Sequence, residues 1–119
     1  MDSRVKATYI FAMSIFVCTT RGDDEHQFSL QTRDGGVLLS SEGYSSKSGR
    51  DHGIRSVQEN SIYYRRYETR RSKDNRYFFN MKARNGQVIG TSRMYRTPGT
   101  RDAAINTIVE GARTAQVGS

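Results

Sequence analysis

The chain repeats itself. Residues 28–60, FSLQTRDGGVLLSSEGYSSKSGRDHGIRSVQEN, return without a gap as residues 79–111, FNMKARNGQVIGTSRMYRTPGTRDAAINTIVEG. Phe28 meets Phe79, Arg33 meets Arg84, Gly35 meets Gly86 and Val37 meets Val88. Further on, Ser41, Tyr44, Arg50-Asp51, Ile54 and Glu59 meet Ser92, Tyr95, Arg101-Asp102, Ile105 and Glu110. A fixed internal period dictates architecture, because each copy is one supersecondary unit that buries its apolar face against its neighbour. At 119 residues the two copies make one compact unit with a modest core.

Residues 1–12 lie outside the repeat and read as an N-terminal extension. Repeat one spans 13–62 and repeat two 63–119. The apolar run from Tyr9 to Val17, preceded by Arg4 and Lys6, superficially resembles a short signal peptide. No small-x-small site follows it, and the repeat offset pairs Phe16 with Tyr67, which makes 15–20 the first strand of repeat one. It is also too short for a transmembrane helix, which needs about 20 apolar residues, so no membrane association is expected.

Local patterns supply the elements. Strand one covers 14–20. Strand two covers 25–32 and alternates His26, Phe28, Leu30 and Thr32 on one face with Gln27, Ser29, Gln31 and Arg33 on the other, the mark of a half-buried antiparallel strand. Asp34-Gly35 and Asn85-Gly86 then predict two-residue type I′ hairpins, with Arg33 opposite Gly36, Thr32 opposite Val37 and Leu30 opposite Leu39. After Tyr44 the period becomes helical. Ser46 and Thr97 read as N-caps, the latter followed by Pro98 at the first helical position. The helices span 47–60, with Ile54 and Val57 inward, and 98–112, with Ile105, Ile108 and Ala112 inward. Each has one narrow apolar stripe, suited to packing on one face of a sheet. Between the repeats, Ile62 to Arg71 has no linker residues and reads as strand running from the first helix into repeat two. The repeats therefore share one sheet and one core.

Given twice at this spacing, these motifs resemble those of the YegP-like family of small bacterial tandem-repeat proteins. The matching residues are Phe28, Leu30, Asp34-Gly35, Val37, Ser41-Glu42, Tyr44 to Ser48, Gly53-Ile54, Ser56-Val57 and Asn60. In repeat two they are Phe79, Asn85-Gly86, Val88 to Ser92, Met94-Tyr95, Arg101-Asp102 and Ile105. The chain departs at Arg93, where repeat one keeps Glu42, at Pro98, and at Ala104 in place of Gly53. The resemblance implies an α+β fold: two β-β-β-α-β repeats, with exchanged terminal strands, form a single antiparallel sheet and both helices pack on one face. It implies no activity, since the family has no established biochemical function.

The chemistry-bearing inventory is thin. His26 and His52 do not align with each other, and no nucleophile elbow, zinc-protease, phosphate-loop or dinucleotide motif is present. The serines of Gly43 to Lys47 suit helix capping, and Glu42 paired with Asp51 has no counterpart once Arg93 replaces Glu42. Arg50-Asp51 and Arg101-Asp102 fall in the first helical turns, where the aspartates suit the helix dipole. One cysteine, Cys18, excludes an internal disulfide and a cysteine-rich zinc site, and fits a reducing, cytoplasmic setting. No enzyme, cofactor or metal is expected.

Charge is what the repeats do not share. Residues 1–60 hold 7 Lys/Arg against 8 Asp/Glu, and residues 61–119 hold 12 against 4, so the net +7 belongs to the second half. Fifteen of the 19 basic residues are arginine, which favours planar recognition of phosphate or carboxylate. In repeat two, Phe78 among Arg66, Arg70, Lys82, Arg84 and Arg93 forms a basic sheet face with a stacking ring, suited to an anionic partner, nucleic acid or acidic protein. The competing uses are a solvated face that discourages aggregation, or a homodimer contact centred on Phe78 with Leu38 and Ile89. A site belongs where the copies differ.

Overall fold

A computed structural model describes residues 14–118; the extension 1–12 lies outside them. In chain order the elements are β1 (Ser14–Arg21), β2 (Glu25–Thr32), β3 (Val37–Ser40), α1 (Lys47–Asn60), β4 (Tyr67–Arg71), β5 (Tyr77–Lys82), β6 (Val88–Thr91), α2 (Pro98–Gly111) and β7 (Gln116–Gly118). All seven strands join one sheet in the order β4-β5-β6-β3-β2-β1-β7. Every pair is antiparallel except β1 with β7, which run parallel, so the sheet is mostly and not wholly antiparallel. The repeats meet where β3 pairs with β6 through Ser40 and Thr91. These two residues are repeat equivalents, so the contact marks an internal pseudo-two-fold axis.

The period-two pattern of β2 is realised: His26, Phe28 and Leu30 are buried and their neighbours are not. Phe79 and Met81 do the same in β5. Ser46 and Thr97 cap their helices by accepting from the backbone N–H of Gly49 and Thr100. Ile54 and Val57 of α1 and Ile105 and Ile108 of α2 close the core over Phe16, Phe28, Phe79 and Met81. The second helix ends at Gly111, and Ala112 starts a short 3₁₀ turn.

Four local expectations are corrected. Neither hairpin is a two-residue type I′ turn: Thr32 N–H donates to Gly36 O at 2.8 Å and Gly35 N–H to Thr32 O at 3.0 Å. Among the described residues of each turn only the glycine, Gly35 or Gly86, has positive φ, which makes a three-residue connection with one left-handed position. Leu30 still faces Leu39, yet Gln31 faces Val37, so Leu38 is an extra, bulged residue, and Ile89 repeats the device in β6. A bulge turns two successive side chains to one side. Leu38 and Ile89 are therefore in the core and are not the apolar centre of a subunit contact. The stretch from Ile62 to Arg71 is not one strand, because Tyr64–Arg66 form a 3₁₀ turn before β4 begins. Finally, Asp51 and Asp102 sit past the first helical turn and each pairs with the arginine before it, at 3.1 and 3.0 Å.

Among the described residues no helix is long and apolar enough to cross a membrane.

Candidate polyanion-binding surface

Strand alternation sends Glu68 and Arg70 of β4, and Phe78, Asn80 and Lys82 of β5, to the face away from the helices, in the register Glu68 with Asn80 and Arg70 with Phe78. Glu68 dominates that face. Its carboxylate accepts from Lys82 Nζ at 3.0 Å and Asn80 Nδ2 at 3.2 Å, with Arg70 Nη1 3.6 Å away. The Lys82 hydrogen bond, then that from Asn80, holds the Glu68 carboxyl below the usual carboxylate range. Two of the expected cations are thus paired within the sheet.

The other expected residues are dispersed. Arg66 lies in the 3₁₀ turn, where Nε donates to Asn60 Oδ1 at 2.8 Å, and it is not on the sheet face. Arg84 is exposed in the β5–β6 loop. Arg93 follows β6 at the opposite end of that hairpin, one strand length or about 20 Å away. Phe78 is half-buried.

A tighter constellation forms at the Arg93 end. There Tyr77 bridges Tyr95, extending the β5–β6 pairing beyond the strands. Arg71 faces Tyr77 across the ladder, donates to its hydroxyl at 3.1 Å and holds its guanidinium 5.3 Å from the ring centre. Arg101, with a side chain only 14% exposed, approaches the same ring at 5.7 Å. Arg93 lies 5.3 Å from the Tyr95 ring, within cation–π range. Arg76, Arg93 and Arg96 then line a groove of about 360 Å³ with Met94, Tyr95 and Thr100. Burial pushes the Tyr95 phenol above its ordinary value, with the Arg93 charge acting against that. Asp74 pairs with Arg76 at 2.9 Å. Arg71, Arg93 and Arg96 have no carboxylate partner among the described residues.

The same place in repeat one is built around the bridge between His26 and Tyr44. His26 is buried there, its Nδ1 3.2 Å from Thr20 Oγ1. Where repeat two carries Arg71, Arg76, Arg93 and Arg96, repeat one carries Thr20, Glu25, Glu42 and Ser45. Four equivalent positions thus go from −2 to +4, which is six of the nine charges separating the halves. Of the expected set only Arg93 belongs to this cluster. Arg71, Arg76 and Arg96 lie outside that set, although the aligned repeats carried a signal: each stands where repeat one has no basic residue. Arg50 and Arg101, shared by both repeats, are nearly covered and act in the fold.

A second groove of about 340 Å³ separates α1 from the β5–β6 hairpin and is lined in part by Glu42, Tyr44, His52 and Ser56. No hydrogen bond joins Glu42, His52 and Ser56 into an acid–base relay. No group of three or more metal-ligating side chains occurs among the described residues.

Comparison with known proteins agrees with this architecture. The profile of a family described as "Domain of unknown function (DUF1508)" matches twice, at residues 22–68 and 72–118. A UPF0339 protein of Shewanella oneidensis is 41% identical over 95 residues, covering 80% of this chain and 86% of that protein. UPF0339 protein YegP of Escherichia coli K12 is 37% identical over 93 residues, covering 78% and 84%. The solution structure of a UPF0339 protein from Shewanella oneidensis superposes with a TM-score of 0.82 at 37% identity, covering 88% of this chain and 89% of that one. That of YegP from E. coli gives 0.81 at 33% identity, covering 88% and 90%.

Proposed function

The chain belongs to the DUF1508 family of two-repeat UPF0339 proteins, which have no known function, and from its surface we propose a non-catalytic module that binds single-stranded nucleic acid. One observation carries the reading: the fold presents the same place twice, and at one of them acidic and neutral side chains are replaced by four exposed arginines interleaved with Tyr77 and Tyr95. A predominantly basic cluster around aromatic rings suits phosphates, with guanidinium groups as donors and ring faces for bases. Arg70 and Lys82, already paired with Glu68, serve the sheet.

Fluorescence anisotropy of a labelled oligonucleotide over a salt series tests this. Affinity falls as salt rises, with a log–log slope of roughly −0.7 for each phosphate contacted on a single strand. Arg93→Ala/Arg96→Ala weakens binding and makes the slope shallower by about 1.4 on the same basis. An absence of binding at low salt, or an unchanged slope in the double variant, overturns the reading. Tighter binding of a labelled polyglutamate than of the oligonucleotide moves the partner class to acidic protein.

A further inference from the structure

Beside the arginine cluster, between β4 and α2, lies a cleft of about 330 Å³ lined by Tyr64, Tyr67, Thr69, Asp102, Ile105 and Asn106. Its floor is apolar and fixed: Ile105 is buried, and the Tyr67 hydroxyl is anchored to Ser61 O at 2.6 Å. Its rim is different. Tyr64 is 60% exposed, and its hydroxyl donates to Asn106 Oδ1 at 2.7 Å. That bond leaves the Asn106 amide with both N–H groups to offer. Asp102 is neutralised by Arg101, so the cleft carries no uncompensated negative charge.

The cleft leads directly into the cluster. Thr69 on its wall is two residues, about 7 Å, from Arg71 on the same strand. Asp102 pairs with Arg101, whose guanidinium lies 5.7 Å from the centre of the Tyr77 ring. At the corresponding edge of repeat one, the chain's own C-terminal segment pairs with β1 as a further strand. That segment runs along β1 and receives a hydrogen bond from Gln58 Nε2 to Ala115 O at 3.3 Å. The edge strand of repeat one is thus covered by the chain itself, whereas beside β4 of repeat two the cleft stands next to Arg71 and Arg101.

We infer that this cleft seats a nucleobase, one step along a single strand from phosphates held by Arg71, Arg93 and Arg96. The base lies against the exposed Tyr64 ring and meets the Asn106 amide at its edge, while Ile105 and Tyr67 cover its apolar surface. An aromatic wall with one directional polar group is the usual make-up of a site for a flat, partly polar ring. A base inside a duplex cannot enter, so the protein discriminates single from double strands. The inference rests on the polyanion reading and adds to it the base.

Three probes of equal length separate the two: a labelled oligodeoxyadenylate, an abasic oligomer with the same phosphates, and a duplex. The oligodeoxyadenylate binds roughly tenfold tighter than the abasic strand and the duplex, within the range of one base–aromatic stack. Tyr64→Ala, at an exposed position, removes that advantage and leaves abasic binding unchanged, with its circular dichroism spectrum checked against the parent's. Asn106→Ala lowers it several-fold. Equal binding of all three probes, or a Tyr64→Ala variant that weakens abasic and adenylate strands alike, overturns the base site while leaving the phosphate reading standing. Failure of all three to bind at low salt overturns both.

Discussion

Gly90 shows how much one missing side chain does here. A Cβ at that position would lie 2.7 Å from Leu39 Cγ and 2.8 Å from its Cδ2. Leu39 is wholly buried and is the repeat equivalent of Gly90. Close to the axis that relates the two copies there is room for one large residue, and repeat one supplies it. Gly90→Ala should therefore cost about 1–3 kcal/mol through overpacking, and Leu39→Ala about 2–5 kcal/mol through the cavity it leaves. Together they should cost less than the sum by about 1 kcal/mol or more, since trimming Leu39 makes space for the new methyl. Urea midpoints of the four proteins measure this coupling, and additive costs would show that the two positions do not share one space.

Among the elements, β4 and β5 are held at their outer face by the contacts of Glu68. The carboxyl titrates below its ordinary value in the folded chain. Its contribution is therefore fully present above the unfolded value of about 4.3 and is lost as pH falls through the folded value. The urea midpoint should drop between about pH 5 and about pH 3, as Asp34 and Asp74, held low by Thr32 and Ser72, also protonate. Glu68→Gln should make the drop shallower, by a modest amount because the site is exposed. An identical acid limb in both proteins would remove Glu68 from that account. At this scale the sequence was highly legible: β2 and α1 run where periodicity and capping put them, because both signals are local. The hairpin type and the bulges at Leu38 and Ile89 were not, because the D/N-G pair allows more than one connection and only tertiary packing turns two neighbours inward. The basic face was legible only in part, for a related reason. Alternation says which way Arg70 and Lys82 point, but not that Glu68 takes both, and the cluster at Tyr77 needs a cross-strand bridge that joins distant residues.

As a whole, the molecule is a pair of half-sheets that share one core. The halves are joined in the sheet by one bridge between β3 and β6, Ser40 with Thr91, and by β7 of the second repeat, which completes the edge of the first. Unfolding in urea should be one cooperative transition, coincident by circular dichroism and tyrosine fluorescence. Repeat one alone, residues 13–62, should stay unfolded, having lost β7 and the buried faces of Phe79 and Met81. Two separated transitions, or a folded half, would show that the repeats are autonomous. The parallel pairing of β1 with β7 also has a meaning in time. About a hundred residues separate Ile15 from its partner Gln116. At about 5–20 residues per second, β1 leaves the ribosome roughly 5–20 s before the strand that covers its outer edge exists. For that interval the outer edge of β1 has no strand partner, so the earliest strand among the described residues is also the last to be sealed.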